Sequence, residues 1–85
     1  MAQTDDVILI YGTAWCPDCV RAKQFLDRQH VPYKWINIEQ DPQATAYVKE
    51  VNRGMRRVPT ILFPDGSILV EPSNAQLADK LGKAA

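Results

Sequence analysis

Hydrophobic and polar positions along this chain switch between two repeats, and each switch marks a change of element. Residues 7–11, Val-Ile-Leu-Ile-Tyr, form an unbroken apolar run, the pattern of a central strand covered on both faces. Beyond it the spacing turns helical: Cys19, Ala22, Phe25 and Leu26 share one face, and Arg21, Asp27 and Arg28 lie outside it. Pro17 suits the first position of that helix, where its missing N–H costs nothing, and Val31-Pro32 ends it. Residues 33–38 read as a second strand. Asp41 and Pro42 predict the N-cap and first position of a second helix, in which Ala44, Tyr47, Val48 and Val51 recur at helical spacing and Gly54 is the stop. Residues 60–63 and 68–70 flank Pro64-Asp65-Gly66-Ser67, a turn sequence that predicts a hairpin. Ser73, with Gln76 three residues on, forms a capping box for a last helix that carries Leu77 and Leu81.

The predicted order is β-α-β-α-β-β-α, an α/β fold. A strand–helix–strand start implies a right-handed parallel crossover, and the hairpin adds an antiparallel pair. The expectation is a four-stranded mixed sheet with helices on both faces, built from residues 1–85 as a single domain. There is no repeat, low-complexity tract or linker.

Composition narrows the partners. Of 85 residues, 46% are hydrophobic and 24% charged, and the formal net charge is zero, so the basic excess expected of a nucleic-acid or membrane-surface binder is missing. No apolar stretch approaches the ~18 residues of a membrane span. Residues 1–6 lack the basic start and apolar segment of a secretory signal, which leads to the expectation of a cytoplasmic protein.

The chemistry lies in Cys16-Pro17-Asp18-Cys19, which contains both cysteines. A disulfide between them closes so small a loop that it restrains the unfolded chain little, so reactivity explains the pair better than a structural staple. The tetrapeptide falls where the first strand feeds the first helix. Unpaired N–H groups and the positive dipole end of a helix stabilise a thiolate there, and thiols at such positions drop from ~8.5 into the range of roughly 3.5–7.5. Cys16, at the N-cap, is the expected attacking thiol, and Cys19, facing the core one turn on, the resolving one. Asp18 favours the helix start but opposes a neighbouring thiolate; Arg56 or Arg57 compensates if the loop before Pro59 folds over the site. Trp15, directly before Cys16, is placed to shield the sulfur and offer a partner a flat apolar surface.

The same residues admit plainer readings. A Cys-x-x-Cys pair is also half a zinc site, but tetrahedral zinc needs two more ligands, and His30 sits near the far end of the helix. Two inert buried cysteines are a second bland reading. Arg53, Arg56 and Arg57 read equally as a solvated loop face or as a site for an anionic thiol. Pro59 by itself is a strand-entry residue in an ordinary trans bond.

Taken together, Tyr11-Gly12-Thr13-Ala14-Trp15-Cys16-Pro17-Asp18-Cys19 and Arg56-Arg57-Val58-Pro59 resemble the glutaredoxin family over residues 7–81, with the mycoredoxins and glutaredoxin-like proteins nearer within it. The resemblance implies a thioredoxin-like fold with Cys16 as nucleophile, Cys19 as resolving thiol and Pro59 in cis. It implies that the Val58 backbone pairs with a bound thiol peptide and that Arg56 meets its carboxylate. It also implies a monomeric dithiol oxidoreductase acting on disulfide-containing proteins, with no tightly bound cofactor or metal. A low-molecular-weight thiol of glutathione or mycothiol type, or a flavoprotein reductase, would supply the electrons.

The chain departs from glutathione-using relatives at four places. Thr13 replaces a lysine, Asp18 an aromatic residue and Arg57 a threonine, and Glu71-Pro72-Ser73-Asn74 replaces a Gly-Gly-x-Asp type segment. Such departures are similar to what mycoredoxins show. Two further roles known in the family are donation of electrons to ribonucleotide reductase or peroxidases after reduction by thioredoxin reductase, and carriage of an iron–sulfur cluster. The aromatic C-terminal motif of the first group is absent from residues 75–85, and Pro17 stands where cluster carriers have a small residue. A module that regulates one partner through its oxidation state is a non-catalytic alternative.

Overall fold

The computed structural model describes residues 7–82. Its elements run β1 (Ile8–Gly12), α1 (Pro17–Arg28), β2 (Tyr33–Asn37), a short 3-10 helix (Ile38–Gln40), α2 (Pro42–Val51), β3 (Thr60–Leu62), β4 (Ile68–Val70) and α3 (Asn74–Leu81). The sheet order is β2-β1-β3-β4, with β1 parallel to β2 and antiparallel to β3, and β3 antiparallel to β4. This is the mixed four-stranded α/β sheet predicted from the pattern. Expectations for residues 1–6 and for the chain beyond residue 82 lie outside the described residues.

Strand alternation divides the core in two. Ile8 and Ile10 of β1 and Ile61 of β3 face α1 and α3, where they pack with Ala22, Phe25, Leu26, Leu77 and Ala78. Tyr11 and Ile36 point the other way, toward Ile38, Ala44 and Val48. The central strand is therefore buried unequally on its two faces: Ile8, Ile10 and Gly12 are buried, whereas Leu9 and Tyr11 are half-buried, with Tyr11 packed against the cluster that includes Ala44 and Val48 of α2.

Local chemistry sets most of the boundaries. Asp41 caps α2 by accepting from the N–H groups of Gln43 and Ala44, both at 3.1 Å. The Ser73 hydroxyl accepts from Gln76 N–H at 3.1 Å, while Gln76 Oε1 accepts from Ser73 N–H at 2.8 Å, the reciprocal capping box.

The first strand lies one residue later than read, at Ile8–Gly12, the third stops one residue earlier, at Leu62, and three further boundaries differ for reasons visible in the local bonding. The second strand stops at Asn37, whose side chain accepts from Glu39 N–H at 2.9 Å and turns the chain into the 3-10 helix. Helix α1 is closed by His30 rather than by Val31-Pro32: His30 takes a left-handed conformation, and Val31 N–H returns to Leu26 O at 3.0 Å. Helix α2 ends three residues before Gly54, which instead shares the exit turn with left-handed Arg53 and donates its N–H to Lys49 O at 2.6 Å.

Beyond that turn, Asn52 Nδ2 donates to Val48 O at 2.8 Å and to Thr60 Oγ1 at 3.1 Å. Thr60 Oγ1 in turn donates to Arg57 O at 2.7 Å. These bonds fix the loop that leads into Val58 and Pro59.

Candidate active site

The parallel strand β1 delivers the chain to the C-terminal edge of the sheet, where open α/β sheets commonly place their sites. Here the chain turns through Thr13, Ala14 and Trp15 into α1. Cys16 is the N-cap residue, with extended backbone, and Pro17 occupies the first helical position. Where most helices have an oxygen, this one has a sulfur: Cys19 N–H donates to Cys16 Sγ at 3.3 Å. Sulfur 16 therefore sits over the open amides of the helix, where negative charge is stabilised.

The sulfur is largely covered. Cys16 is 7% exposed and Cys19 is 0% exposed. The Val58 carbonyl lies across Cys16, which donates to it at 3.9 Å, and the Val58-Pro59 peptide is cis. Both thiols are free.

Burial pushes the Cys19 thiol up to about 12, against a backbone hydrogen bond from Thr13 that acts in the opposite direction. The Cys16 sulfur and the Asp18 carboxylate add to the rise. Cys19 thus keeps its proton until a neighbouring group takes it.

Gly12 makes room for this packing. A Cβ there would come within 2.5 Å of Cys19 Sγ and 2.9 Å of the Trp35 ring. Trp35 is covered in turn by Lys23, whose Nζ stands 4.0 Å over the ring centroid.

Beside Cys16 lies a cavity of about 200 Å³ lined by Thr13, Trp15, Ile38, Glu39, Arg56 and Val58. Of the residues singled out from the sequence, Trp15, Arg56 and Val58 thus share one wall-lined space, and Pro59 follows directly behind it. Trp15 is 69% exposed, so its ring is displayed outward rather than folded into the core. Its indole N–H donates to Glu39 Oε2 at 3.0 Å. Arg57 turns away and pairs with Glu71 at 3.3 Å. Asp18 is met not by that loop but by Arg21, at 3.0 Å on the same helix. The Thr13 hydroxyl is buried with no hydrogen-bond partner among the described residues.

Four residues of the site were not foreseen. Gly12 gave only a strand-end glycine, and Glu39 lies on the 3-10 helix that no periodicity announced. From the sequence Arg21 reads only as a residue of the polar face, although its spacing from Asp18 is a usable signal. Thr13 reads only as part of the motif and as a replacement for lysine.

His30 is two residues beyond α1, whose twelve residues span ~18 Å from the cysteines at its start, which removes it as a partner for a zinc site there. Among the described residues no group of three or more His, Cys, Asp or Glu side chains could hold a metal ion. No helix among them is long and apolar enough to cross a membrane.

The sequence profile of the glutaredoxin family matches residues 8–68, which covers β1 through the start of β4. The chain belongs to the glutaredoxin family. It is similar to Mycoredoxin 1 of Corynebacterium glutamicum, 39% identical over 74 residues that cover 87% of this chain and 91% of that protein. A Mycobacterium tuberculosis protein whose name places it among the glutaredoxins is 41% identical over 78 residues, 92% of this chain and 93% of its own.

Among solved structures, a variant of a thioredoxin-like protein superposes with a TM-score of 0.79 at 25% identity, covering 91% of this chain and 96% of that one. The glutaredoxin of Archaeoglobus fulgidus superposes with a TM-score of 0.73 at 24% identity, covering 93% and 89%, and so shares the fold. The chain is accordingly a redox protein of the glutaredoxin and mycoredoxin type, a class that carries out thiol–disulfide exchange with a small thiol as co-substrate.

Proposed function

We propose that this protein is a dithiol oxidoreductase that reduces protein disulfides, or mixed disulfides between proteins and a small thiol, through Cys16 and Cys19. The observation that carries this reading is the 3.3 Å hydrogen bond from Cys19 N–H to Cys16 Sγ, which puts the first sulfur on the helix amides with the second thiol one turn behind it.

In the forward cycle the Cys16 thiolate attacks one sulfur of the substrate disulfide, and the other sulfur leaves as a thiolate that takes up a proton. The Cys19 thiol then gives up its proton as its sulfur attacks Cys16. That step releases the second substrate thiol and leaves a Cys16–Cys19 disulfide. Two electrons have passed from protein to substrate. Because Cys19 is held protonated by burial, the second step waits for a group that accepts its proton, and the departing thiolate is such a group.

Val58 and Pro59 border the approach to Cys16, and the cavity of Trp15, Arg56 and Val58 is the space offered to whatever carries the bound sulfur. Arg56 is the cation on that wall and Trp15 the exposed apolar surface.

A low-molecular-weight thiol of glutathione or mycothiol type restores the dithiol. Its attack on the oxidised pair, followed by a second equivalent, gives two protein thiols and one small-molecule disulfide. The similarity to Mycoredoxin 1 favours the mycothiol type. The chain works as a single-domain monomer in the cytoplasm, with disulfide-bearing proteins as its partners.

Two substitutions test the mechanism. Cys16→Ser is expected to abolish disulfide reduction, whereas Cys19→Ser forms the first mixed disulfide and stalls on it, a species visible by intact mass. Full activity in Cys16→Ser would overturn the assignment of the nucleophile. The electron source is found by offering the oxidised protein glutathione, mycothiol, bacillithiol and NADPH-fed thioredoxin reductase separately. Reduction by the small thiols and not by the flavoprotein is the expected outcome.

A further inference from the structure

A carboxylate between two cysteines is a poor neighbour for a thiolate, because like charges raise each other's free energy. The structure meets Asp18 with Arg21, one turn further along α1. Arg21 Nη2 donates to Asp18 Oδ1 at 3.0 Å, and Nη1 donates to Pro72 O at 3.3 Å and Asn74 Oδ1 at 3.2 Å. One guanidinium is therefore held by three acceptors, one on its own helix and two at the start of α3. A simple surface pair between neighbouring turns has no such anchor.

The segment it grips continues to the opposite side of the site. Glu71 N–H donates to Pro59 O at 2.8 Å, and the Glu71 carboxylate pairs with Arg57 at 3.3 Å. Residues 71–74 thus tie the first turn of α1 to the loop whose Val58 carbonyl lies against Cys16. Among the described residues, the cavity beside Cys16 carries two further charges, Glu39, which accepts from the Trp15 indole, and Arg56, and Lys23 covers the Trp35 ring on the side of Cys19.

Resting on the dithiol reading above, we infer that Arg21 is a positioning residue for the redox pair: it balances the Asp18 charge in place, so that the reduced form of Cys16 and Cys19 stays accessible with an acidic residue between them. Arg57 is committed to Glu71, and Arg21 is the cation that the structure places on Asp18.

The test is the equilibrium of the full-length protein with oxidised and reduced dithiothreitol at neutral pH and low ionic strength. In that exchange two electrons and two protons pass from the reagent to the protein disulfide, which leaves the cyclic reagent and the protein dithiol. Arg21→Gln is expected to lower the equilibrium constant for reduction about two- to five-fold, the scale on which one uncompensated carboxylate a few ångströms away acts through a water-like medium on a thiolate that the disulfide lacks. That is a potential roughly 10–20 mV more negative. Asp18→Asn moves it in the opposite direction, and the double variant, with both charges gone, returns close to wild type. Arg21→Lys keeps the charge and stays close to wild type as well. High salt compresses every shift.

An unchanged equilibrium constant in Arg21→Gln, whether or not its melting temperature falls, overturns the proposal and leaves Arg21 as a structural brace. A wild-type chain that never forms the disulfide reversibly overturns the dithiol reading and this inference together, so the two failures are distinguishable.

Discussion

The space that Cys19 occupies is created by an absent side chain. A methyl group on Gly12 would meet Cys19 Sγ at 2.5 Å and the Trp35 ring at 2.9 Å, and neither is the free end of a flexible chain. Gly12→Ala is expected to cost about 1–3 kcal/mol, the range for overpacking a filled interior. It should also slow resolution of the mixed disulfide, because the sulfur that must shift is the resolving one. Urea denaturation of the reduced protein reads the first effect and stopped-flow release of a labelled thiol the second. A variant with an unmoved midpoint would show that β1 and α1 can part more easily than their packing indicates.

The sequence displayed Cys16 and Cys19 openly, because their chemistry is written in residue type and spacing, whereas Pro59 read by itself is an ordinary strand-entry residue and only the family resemblance implied its cis bond. It could not display Gly12, whose importance depends on what a distant strand and helix bring against it. Nor could it show that the Thr13 hydroxyl is left without a partner, since that depends on the whole surrounding shell.

Among the elements, α3 is the one most dependent on its own start. It has eight residues, too few to be stable alone, and its anchors are Leu77 and Ala78 in the larger core cluster. Its capping box supplies partners for two N–H groups that the helix cannot satisfy internally. Ser73→Ala should therefore destabilise the protein by about 1 kcal/mol, within the 0.5–2 kcal/mol found for N-cap losses. Thermal unfolding followed by circular dichroism measures this, and an unchanged melting temperature would mean that docking alone holds the helix.

All three helix starts were legible because capping is local: Cys16 before Pro17, Asp41 before Pro42 and Ser73 ahead of Gln76 each announce themselves within four residues. The ends of α1 and α2 were not. His30 and Arg53 beyond those helices, and Glu71 after β4, adopt left-handed backbone without the glycine or asparagine that would have signalled it, and the 3-10 helix interrupts what read as a longer strand. Those irregular points carry Glu39 to the cavity and Glu71 to the Pro59 carbonyl, so much of the site's outer wall was hidden with them.

At the scale of the molecule, burial of a titratable thiol couples stability to pH. An unfolded chain releases the Cys19 proton near the ordinary value of 9.0, whereas the folded reduced chain holds it up to about 12. Between those values the native state binds more protons than the unfolded state, so this contribution is complete below about pH 9 and is lost as pH rises toward 12. Tyr11, Tyr33 and Tyr47 are also raised, chiefly by burial, and give a slope of the same sign. Cys19→Ala retains those tyrosines. Under reducing conditions the denaturation midpoint of the wild type is expected to fall more steeply with alkaline pH than that of Cys19→Ala, and parallel slopes would show that the folded protein gives up the thiol proton without cost.

The mixed four-stranded sheet and its two-sided covering followed from element order, through a parallel crossover and a hairpin, whereas the strand order β2-β1-β3-β4 was read only from the structure. The unequal depth of the two sides did not follow either, because it depends on two helices meeting one face and a single helix the other.

The placement of the two tryptophans has a practical consequence. Trp15 precedes the capping sulfur in the chain and stands in water, and Trp35 lies against the backbone that supports the buried one. Trp35 is thus the indole that lies beside a sulfur, that of Cys19, and closing the sulfur–sulfur bond there is expected to change its emission. Turnover can be watched in real time by fluorescence, with no label attached.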